Sequence, residues 1–402
     1  MFRRVYFDNS ATTAIDERVL EAMMPYLTDN YGNASSIHFF GQQTRSAVDK
    51  ARHQVAAAVN ARPNEIVFTS GGTESNNLAI RGLVEMLPQP SLATLPERHI
   101  VTSTIEHPAV REVCADLEKR GVAVTYLPVY ENGIVRVDDV RQAIRENTVL
   151  ISVMTANNEI GTLQPVAEIG RLVRGLRDSG RRIWFHTDAV QAVGKVKVDV
   201  EEMGCDLLSL SGHKFHAPKG IGALYIRRGT RLRPQHVGGR QERGLRGGTE
   251  PVAQIVGLGR AAELAADELT ERAVRVGAMR DRLEHFVLEN IDGSVLNGDA
   301  HDRLTNISNI SFREIEGEGL LINLDMHGIA VSTGSACSSG SLEPSPVIRS
   351  LGRSDDLARG AIRFSLSKDN TDDDIELVLA TLPSAVESVR KLLPGFKSSA
   401  ET

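Results

Sequence analysis

The chain has 402 residues, of which 41% are hydrophobic and 24% charged, and its formal net charge is -6. This composition is typical of a globular protein with two or three domains, and the acidic balance disfavours binding to nucleic acid or to anionic membranes. The apolar runs are too short to span a bilayer, and the first residues lack a signal-peptide pattern. We therefore expect a cytoplasmic protein with no nucleic-acid or membrane partner.

The three cysteines, Cys114, Cys205 and Cys337, are far apart and form no CxxC pair. This spacing disfavours both a disulfide framework and a cysteine-only zinc site. Cys114 lies in a helical pattern and Cys205 just before a β-rich run, so we predict that both are core residues. Cys337 has a different setting, described below.

Short β-rich runs alternate with helical stretches between residues 62 and 226. The predicted strands are 66–70, 99–103, 122–127, 149–154, 182–186, 206–210 and 223–226, and the predicted helices are 74–86, 109–119, 138–145 and 165–176. Strands separated by helices of this length predict an α/β domain with a mainly parallel sheet. Ligands of such sheets bind beyond the carboxyl ends of the strands.

The pattern changes after residue 252. A helix-rich stretch at 252–290 is followed by a predicted strand at 305–312, a helix at 317–327, a strand at 361–367 and a helix at 371–393. This order predicts a smaller α+β domain. We expect residues 15–262 to form the large domain, and residues 1–14 and 263–402 to form the small one.

Five predicted strand ends carry polar side chains. Gly72 and Thr73 open a helix, where backbone amides bind anions, although a tight capped turn is the alternative. Lys214 suits a Schiff base to an aldehyde, and a solvated lysine is the alternative. Asp188 suits a protonated pyridine nitrogen, or else it caps the next helix.

The remaining strand ends add an imidazole and amides. His107 suits stacking on a ring and proton transfer, with a plain loop histidine as the alternative. A ring oxygen would be bound by Asn158 or by Gln191. Because five strand ends suit one molecule, we predict a cofactor that combines a phosphate, a pyridine ring and an aldehyde.

Cys337 lies within Ser332-Thr333-Gly334-Ser335-Ala336-Cys337-Ser338-Ser339-Gly340-Ser341. The many glycines and serines, without apolar periodicity, predict a polar loop instead of a packed element. An accessible thiol on such a loop is a candidate nucleophile.

At this point the chain resembles a known family. The class V aminotransferase superfamily is matched by Gly71-Gly72-Thr73-Glu74-Ser75, Glu106-His107-Pro108, Asn157-Asn158-Glu159-Ile160-Gly161, Asp188-Ala189-Val190-Gln191 and Ser211-Gly212-His213-Lys214. Gly334-Ser335-Ala336-Cys337, followed by Ser341-Leu342-Glu343-Pro344-Ser345, resembles the cysteine desulfurases of NifS/IscS type. The likeness runs from about residue 5 to about residue 385.

The resemblance implies a homodimer of the pyridoxal 5'-phosphate-dependent transferase fold type I. It implies that Lys214 binds the cofactor aldehyde and that the phosphate is bound by Gly72, Thr73, Ser211 and His213, and by Thr249 of the other subunit. The ring would contact Asn158, Asp188 and Gln191, with His107 stacked on it. Arg363 would receive the substrate carboxylate, together with Asn33, since a planar guanidinium fits a carboxylate in two places.

The resemblance also implies a reaction. Lys214 takes the α-proton of L-cysteine, His107 assists proton movement, and the Cys337 thiolate attacks the substrate sulfur. The products are L-alanine and a Cys337 persulfide, which an iron–sulfur scaffold protein or another acceptor receives. The sequence leaves open which acceptor this is and whether Cys337 transiently ligates a shared cluster. No other metal site is expected.

Four alternatives compete with this hypothesis. The cysteine-bearing loop argues against an ordinary aminotransferase, and comparing cysteine with selenocysteine would decide about a selenocysteine lyase. Lys214 and Cys337 are both present, which argues against an inactive scaffold that only binds assembly partners. The acidic charge balance argues against a nucleic-acid binder.

Overall fold

The computed structural model describes residues 3–87, 98–333 and 344–392. The strands are β1 (Val5–Tyr6), β2 (Ile66–Thr69), β3 (His99–Ser103), β4 (Ala123–Leu127), β5 (Thr148–Ser152), β6 (Trp184–Asp188), β7 (Leu207–Ser211), β8 (Gly222–Ile226), β9 (Ser294–Leu296), β10 (Ile307–Phe312), β11 (Ile329–Ala330) and β12 (Ala361–Ser365). The helices are α1 (Glu17–Met23), α2 (Phe39–Ala58), α3 (Gly72–Met86), α4 (Pro108–Lys119), α5 (Val137–Ala143), α6 (Val166–Asp178), α7 (Val200–Met203), α8 (Val252–Asp267), α9 (Leu269–Asn290), α10 (Gly317–Met326), α11 (Pro346–Ser350), α12 (Asp355–Arg359) and α13 (Asp372–Arg390).

A seven-stranded sheet forms the centre, in the order β2-β8-β7-β6-β5-β3-β4. The strands β7, β6, β5, β3 and β4 are parallel to one another, while β8 pairs antiparallel with both β7 and β2. Residues 212–221 join β7 to β8 without a crossover helix, and so short a connection favours an antiparallel pair. The predicted α/β fold with a mainly parallel sheet is confirmed.

Burial explains why these runs become strands. Every residue of β7 and β8 is buried, as expected for a sheet that helices cover on both faces. Helices α3 and α6 each turn one apolar face towards the sheet; in α6 that face consists of Val166, Ile169, Gly170 and Val173. Gly170 is required there because a Cβ atom would lie 1.9 Å from the Met203 carbonyl oxygen.

A second hydrophobic core lies around the antiparallel sheet β12-β10-β9 and helices α9, α10 and α13. The N-terminal segment joins this core: β1 pairs with β11, and both Val5 and Phe7 are buried in it. This grouping agrees with an α+β arrangement. The predicted boundaries after residues 14 and 262 stay a prediction.

The sequence did not predict several parts of the fold, among them α2, α11 and α12. Helix α2 packs closely along α8: a Cβ atom on Gly259 would lie 2.7 Å from the Cβ of Ala51. In the chain, helices α11 and α12 lie between β11 and β12.

The final helix, α13, begins as predicted, and Asp374 accepts a hydrogen bond from the Thr371 amide at 3.0 Å. Within the described ranges, no helix is both long and apolar enough to cross a membrane.

Candidate active site

The carboxyl ends of β5, β6 and β7 and the start of α4 open onto a cavity of about 740 Å³. The predicted site residues that line it are Gly72, Thr73, His107, Asn158, Asp188, Gln191, Ser211, His213, Lys214 and Arg363. Asn33 and Thr249 are exposed and do not belong to this lining in the described part of the single chain. Cys337 lies outside the described residues.

Lys214 follows β7 on a short 3-10 turn, Gly212–Lys214. Its Nζ donates to the carbonyl oxygen of Ser10 at 2.6 Å and to that of Ala11 at 2.8 Å. Both carbonyls belong to the N-terminal segment, which also bonds to this turn through the Thr13 amide and the His213 carbonyl at 2.9 Å. The lysine head is thus held at the cavity wall by backbone oxygens.

Asp188 is the last residue of β6, and its two carboxylate oxygens have different partners. Oδ2 accepts a hydrogen bond from the Asn76 side chain at 2.7 Å, and Oδ1 accepts one from the Val190 amide at 2.9 Å. These two donors fix the plane of the carboxylate and leave it facing the cavity. An oriented carboxylate of this kind can stabilise a cationic ring nitrogen.

The start of α3 approaches the site closely. Gly71 has a φ of +150°, and a Cβ atom on Gly72 would lie 2.7 Å from Cγ2 of Val190. Glycine at both positions lets the first amides of α3 reach the turn after β6, with the Ser211 hydroxyl beside them. An uncapped helix start next to a hydroxyl is suited to bind an anion.

His213 borders the same end of the cavity. Its Nδ1 lies 3.1 Å from the Thr12 hydroxyl. Burial, and then the nearby Lys214, lower the pKa of His213 to about 4. The imidazole is therefore neutral at pH 7 and can both donate and accept a hydrogen bond.

His107 caps the start of α4. Its Nδ1 accepts a hydrogen bond from the Ala109 amide at 3.1 Å, which assigns the ring proton of the neutral form to Nε2. Burial lowers the pKa of His107, and Lys214 and Arg111 lower it further against the opposing effect of Asp188. A neutral imidazole at the cavity can transfer a proton in either direction.

Glu106 precedes His107 and is itself buried. Its Oε1 accepts hydrogen bonds from the Ser103 hydroxyl at 2.7 Å and from the Met154 amide at 2.9 Å, whereas Oε2 has no partner among the described residues. Burial raises the pKa of Glu106 to about 8. The carboxyl is thus mostly protonated at neutral pH.

Arg363 lies in the middle of β12, with only 2% of its surface exposed. Its Nη2 donates to Asp8 at 2.7 Å and its Nη1 to the Asn158 carbonyl at 3.0 Å. These contacts aim the planar guanidinium at the cavity. A guanidinium in this setting can bind a carboxylate in two places.

The described residues on both sides of the Cys337 segment lie beside the cavity. Ser332 pairs with Arg363 through backbone hydrogen bonds. On the other side, Pro344 lines the cavity, and the Ser345 hydroxyl donates to Glu159 at 2.5 Å. The predicted nucleophile therefore belongs to a segment whose two ends are both at the site.

The other two cysteines are core residues, as predicted. Cys114 and Cys205 are fully buried and free. Burial raises the pKa of Cys114 to about 12 and raises that of Cys205 as well, which makes both thiols poor nucleophiles. Across the described ranges, no group of three or more histidine, cysteine or acidic residues is arranged to hold a metal ion.

Sequence reasoning missed three parts of the site. Asn76 orients Asp188 from within α3, four residues after Gly72, so its helical spacing from the anion site was an available signal. Ser10 contributes a backbone carbonyl, which has no sequence signature. The role of Asp8 depends on its contact with Arg363 in β12, which no local sequence pattern indicates.

Comparisons with known proteins agree with this geometry. The sequence profile of the aminotransferase class-V family matches residues 5–378. "Cysteine desulfurase IscS" of Dictyoglomus turgidum is 48% identical over 394 residues, which cover 98% of this chain and 97% of that protein.

Solved structures show the same likeness. A structure described as a NifS-like protein is 37% identical, with a TM-score of 0.88 over 96% of this chain and 100% of that one. A structure of SspA in complex with cysteine is also 37% identical, with a TM-score of 0.79 over 92% of this chain and 100% of that one.

Proposed function

Since the chain belongs to the aminotransferase class-V family and, within it, to the cysteine desulfurases of NifS/IscS type, we propose that it removes sulfur from L-cysteine. The products are L-alanine and a persulfide on Cys337, which passes its sulfur to an acceptor for iron–sulfur cluster assembly. The relative solved with cysteine supports this choice of substrate.

One observation carries the proposal: a lysine, an oriented carboxylate, an imidazole and a guanidinium all line one cavity at the strand ends. A desulfurase needs a group for each of four tasks, namely binding an aldehyde cofactor, stabilising its ring, moving protons and binding an amino-acid carboxylate. Lys214, Asp188, His107 and Arg363 suit these tasks in that order.

The residues present fit pyridoxal 5'-phosphate as the cofactor. Gly71 and Gly72 keep the start of α3 free of side chains, so that amides and hydroxyls can take a phosphate there. Ser10 Oγ and Asn76 Oδ1 are buried polar atoms at the cavity that have no partner among the described residues, as expected where a polar molecule binds.

Each contact then has an assigned residue. Lys214 would hold the aldehyde, Asp188 the pyridine nitrogen, and Asn158 and Gln191 the ring, with His107 on the ring face. The phosphate would be bound by Gly72, Thr73, Ser211 and His213, and by Thr249 from the second subunit of a homodimer. When bound, the cofactor draws electrons away from the α-carbon of an attached amino acid.

The protein's own groups do the rest. Arg363 binds and orients the substrate carboxylate, together with Asn33. Once its amino group is neutral, Lys214 removes the α-proton, and His107 moves a proton at the substrate. The Cys337 thiolate then forms a bond to the substrate sulfur as the carbon–sulfur bond breaks, and the released β-carbon gains a proton to give alanine.

We place this activity in the cytoplasm, as the composition predicts. Residues 15–262 would supply most of the cofactor contacts, while residues 1–14 and 263–402 would supply Arg363 and the Cys337 segment. An iron–sulfur scaffold protein is the acceptor that this family suggests.

The Cys337→Ala variant tests the proposal, with Cys114→Ala and Cys205→Ala as matched controls. We expect Cys337→Ala to lose alanine release from cysteine while it keeps the absorbance of the bound cofactor at roughly 400–420 nm. The two controls should release alanine, because their thiols are buried. Full turnover by Cys337→Ala, or a purified wild-type protein that binds no cofactor, would contradict the proposal.

A further inference from the structure

A second lysine lies directly behind the site and has no part in the reaction described above. The Nζ of Lys195 donates to the Gln191 side-chain oxygen at 2.5 Å. Lys195 and Lys214 also line a common small cavity of about 50 Å³. Lys195 therefore touches one predicted cofactor ligand and lies close to another.

The backbone places Lys195 there through a tight series of turns after β6. The Lys195 amide donates to the Ala192 carbonyl at 3.0 Å. Gly194 has a φ of +77°, and a Cβ atom there would lie 2.8 Å from the Cβ of Phe215. Only glycine suits this position, and the resulting reversal brings Lys195 back beside Gln191.

The chemistry of the two side chains determines which way the amide of Gln191 faces. In its charged form Lys195 has three donors and no acceptor, so the ammonium requires the amide oxygen of Gln191 to face it, as observed. The amide nitrogen then faces the opposite direction, where it donates to the Ser10 carbonyl at 3.0 Å. Its second hydrogen is left for an acceptor in the main cavity, which Gln191 lines.

The Ser10 carbonyl links this amide to the Schiff-base lysine of the proposed function. It accepts hydrogen bonds both from Gln191 Nε2 and from Lys214 Nζ, the latter at 2.6 Å. Gln191 and Lys214 therefore share one acceptor in the cofactor-free chain.

Holding a cation at this position is costly. Burial, followed by the positive charges of Lys214 and Arg363, lowers the pKa of Lys195 to about 7, and in the described ranges no carboxylate lies within ion-pair distance of it. An apolar side chain would avoid the cost of desolvating a charge. Stability alone does not explain a lysine here, whereas the control of the Gln191 amide does.

We propose that Lys195 is a positioning residue for the cofactor: it holds the Gln191 amide with its nitrogen towards the cofactor ring. This inference rests on the proposed function, because it assumes that pyridoxal 5'-phosphate occupies the cavity.

The test compares Lys195→Met, Gln191→Ala and the double variant, with Lys197→Met as the matched control. Lys197 is exposed and pairs with Glu202 at 2.6 Å. The measured quantities are the dissociation constant of pyridoxal 5'-phosphate for the cofactor-free protein, the absorbance spectrum of the bound cofactor, and the thermal midpoint of the cofactor-free protein.

We expect Lys195→Met and Gln191→Ala each to raise the dissociation constant about tenfold, the effect of one lost hydrogen bond to a charged group. The double variant should bind the cofactor no more weakly than the single variant with the larger dissociation constant, because both changes break the same chain of hydrogen bonds. Lys195→Met should also shift the cofactor absorbance without lowering the thermal midpoint, and Lys197→Met should match the wild type.

Two results would overturn the inference: wild-type cofactor affinity in Lys195→Met, or losses that add in the double variant. If Lys195→Met folds poorly, Lys195→Arg decides the matter, since it keeps a donor-only cation and should restore most of the affinity; failure to do so would count against the positioning role. A wild-type protein that binds no cofactor would refute the proposed function itself, which makes the two failures distinguishable.

Discussion

Asp8 accepts a hydrogen bond from Nη2 of Arg363 at 2.7 Å, although the two residues are 355 positions apart in the chain. The Asn158 carbonyl holds the other terminal nitrogen of the same guanidinium. Arg363 therefore satisfies two partners at once and still lines the cavity, which a side chain with a single nitrogen cannot do in the same geometry.

We expect Arg363→Lys to raise the KM for cysteine by about ten- to a hundredfold, because the ammonium cannot replace a charge-assisted contact made through two nitrogens. Arg359→Lys, an exposed change at the end of α12, serves as the control and should behave as the wild type. Initial rates of alanine formation over a range of cysteine concentrations measure both. An unchanged KM in Arg363→Lys would remove this residue from substrate binding.

Asn76 offers a test of how Asp188 is oriented. We expect Asn76→Ala to lower kcat/KM for alanine formation by about ten- to a hundredfold, since the carboxylate loses one of its two donors. The neighbouring Asn77→Ala is the control, because the Asn77 side chain bonds instead to the Thr73 carbonyl and to Arg81. Equal losses in both variants would indicate a general disturbance of α3 and would contradict the specific role of Asn76.

The raised pKa of Glu106 leads us to expect that the stability of the protein depends on pH. Its pKa is about 8 in the folded protein and near 4.5 when unperturbed, so between these values the unfolded chain binds fewer protons than the folded one. The stabilising contribution of Glu106 is therefore complete below about pH 4.5 and is lost as the pH rises through about 8.

The Glu106→Gln variant removes this titration but keeps an oxygen acceptor for Ser103 and Met154. The thermal midpoint of Glu106→Gln minus that of the wild type should rise between pH 5 and pH 9. Glu289→Gln, an exposed change on α9, should show no such trend. Parallel curves for Glu106→Gln and the wild type would disprove the assignment.

Gly170 and Gly175, both in α6, allow a matched pair of substitutions that tests how closely the helix is packed. A Cβ atom on Gly170 would collide with the Met203 carbonyl, while a Cβ atom on Gly175 would meet nothing within 4 Å. We expect Gly170→Ala to lower the free energy of unfolding by about 1–3 kcal/mol or more. Gly175→Ala should raise it by about 0.5–1 kcal/mol, since alanine favours the helix. Thermal unfolding of the two variants checks both signs, and a stabilised Gly170→Ala would show that α6 can move away from α7.

The strand pattern alone was enough to place together those candidate site residues that lie at or shortly after a strand end. Lys214, Asp188 and His107 could be identified because the carboxyl ends of parallel strands meet along one edge of a sheet, so nearby positions follow from the strand pattern alone. The glycines at the start of α3 could be identified for the same reason.

Other features depend on contacts between distant segments and could not be predicted in this way. Strand β1 has only two residues, too few for a periodic pattern, so neither its pairing with β11 nor the contact of Asp8 was apparent. Helix α2 was missed because its buried face consists largely of small residues, among them Gly41, Ala47, Ala51 and Ala56, which give a weak hydrophobic pattern.

The N-terminal segment is synthesised long before the residues with which it pairs in the folded protein. Val5 pairs with Ile329, and Asn9 donates to the Ser365 carbonyl at 2.9 Å, so this segment leaves the ribosome well before its partners, which lie far along the chain. At the usual speed of translation the segment waits roughly 20–70 s for them. The segment can contact the central-sheet region through Thr13 and His213 before β11 and β12 exist, but the pairings of Val5 and Asn9 form only after those strands have left the ribosome. The Ser10 and Ala11 carbonyls that contact Lys214 therefore gain their last supports from strands that are made long after Lys214 itself.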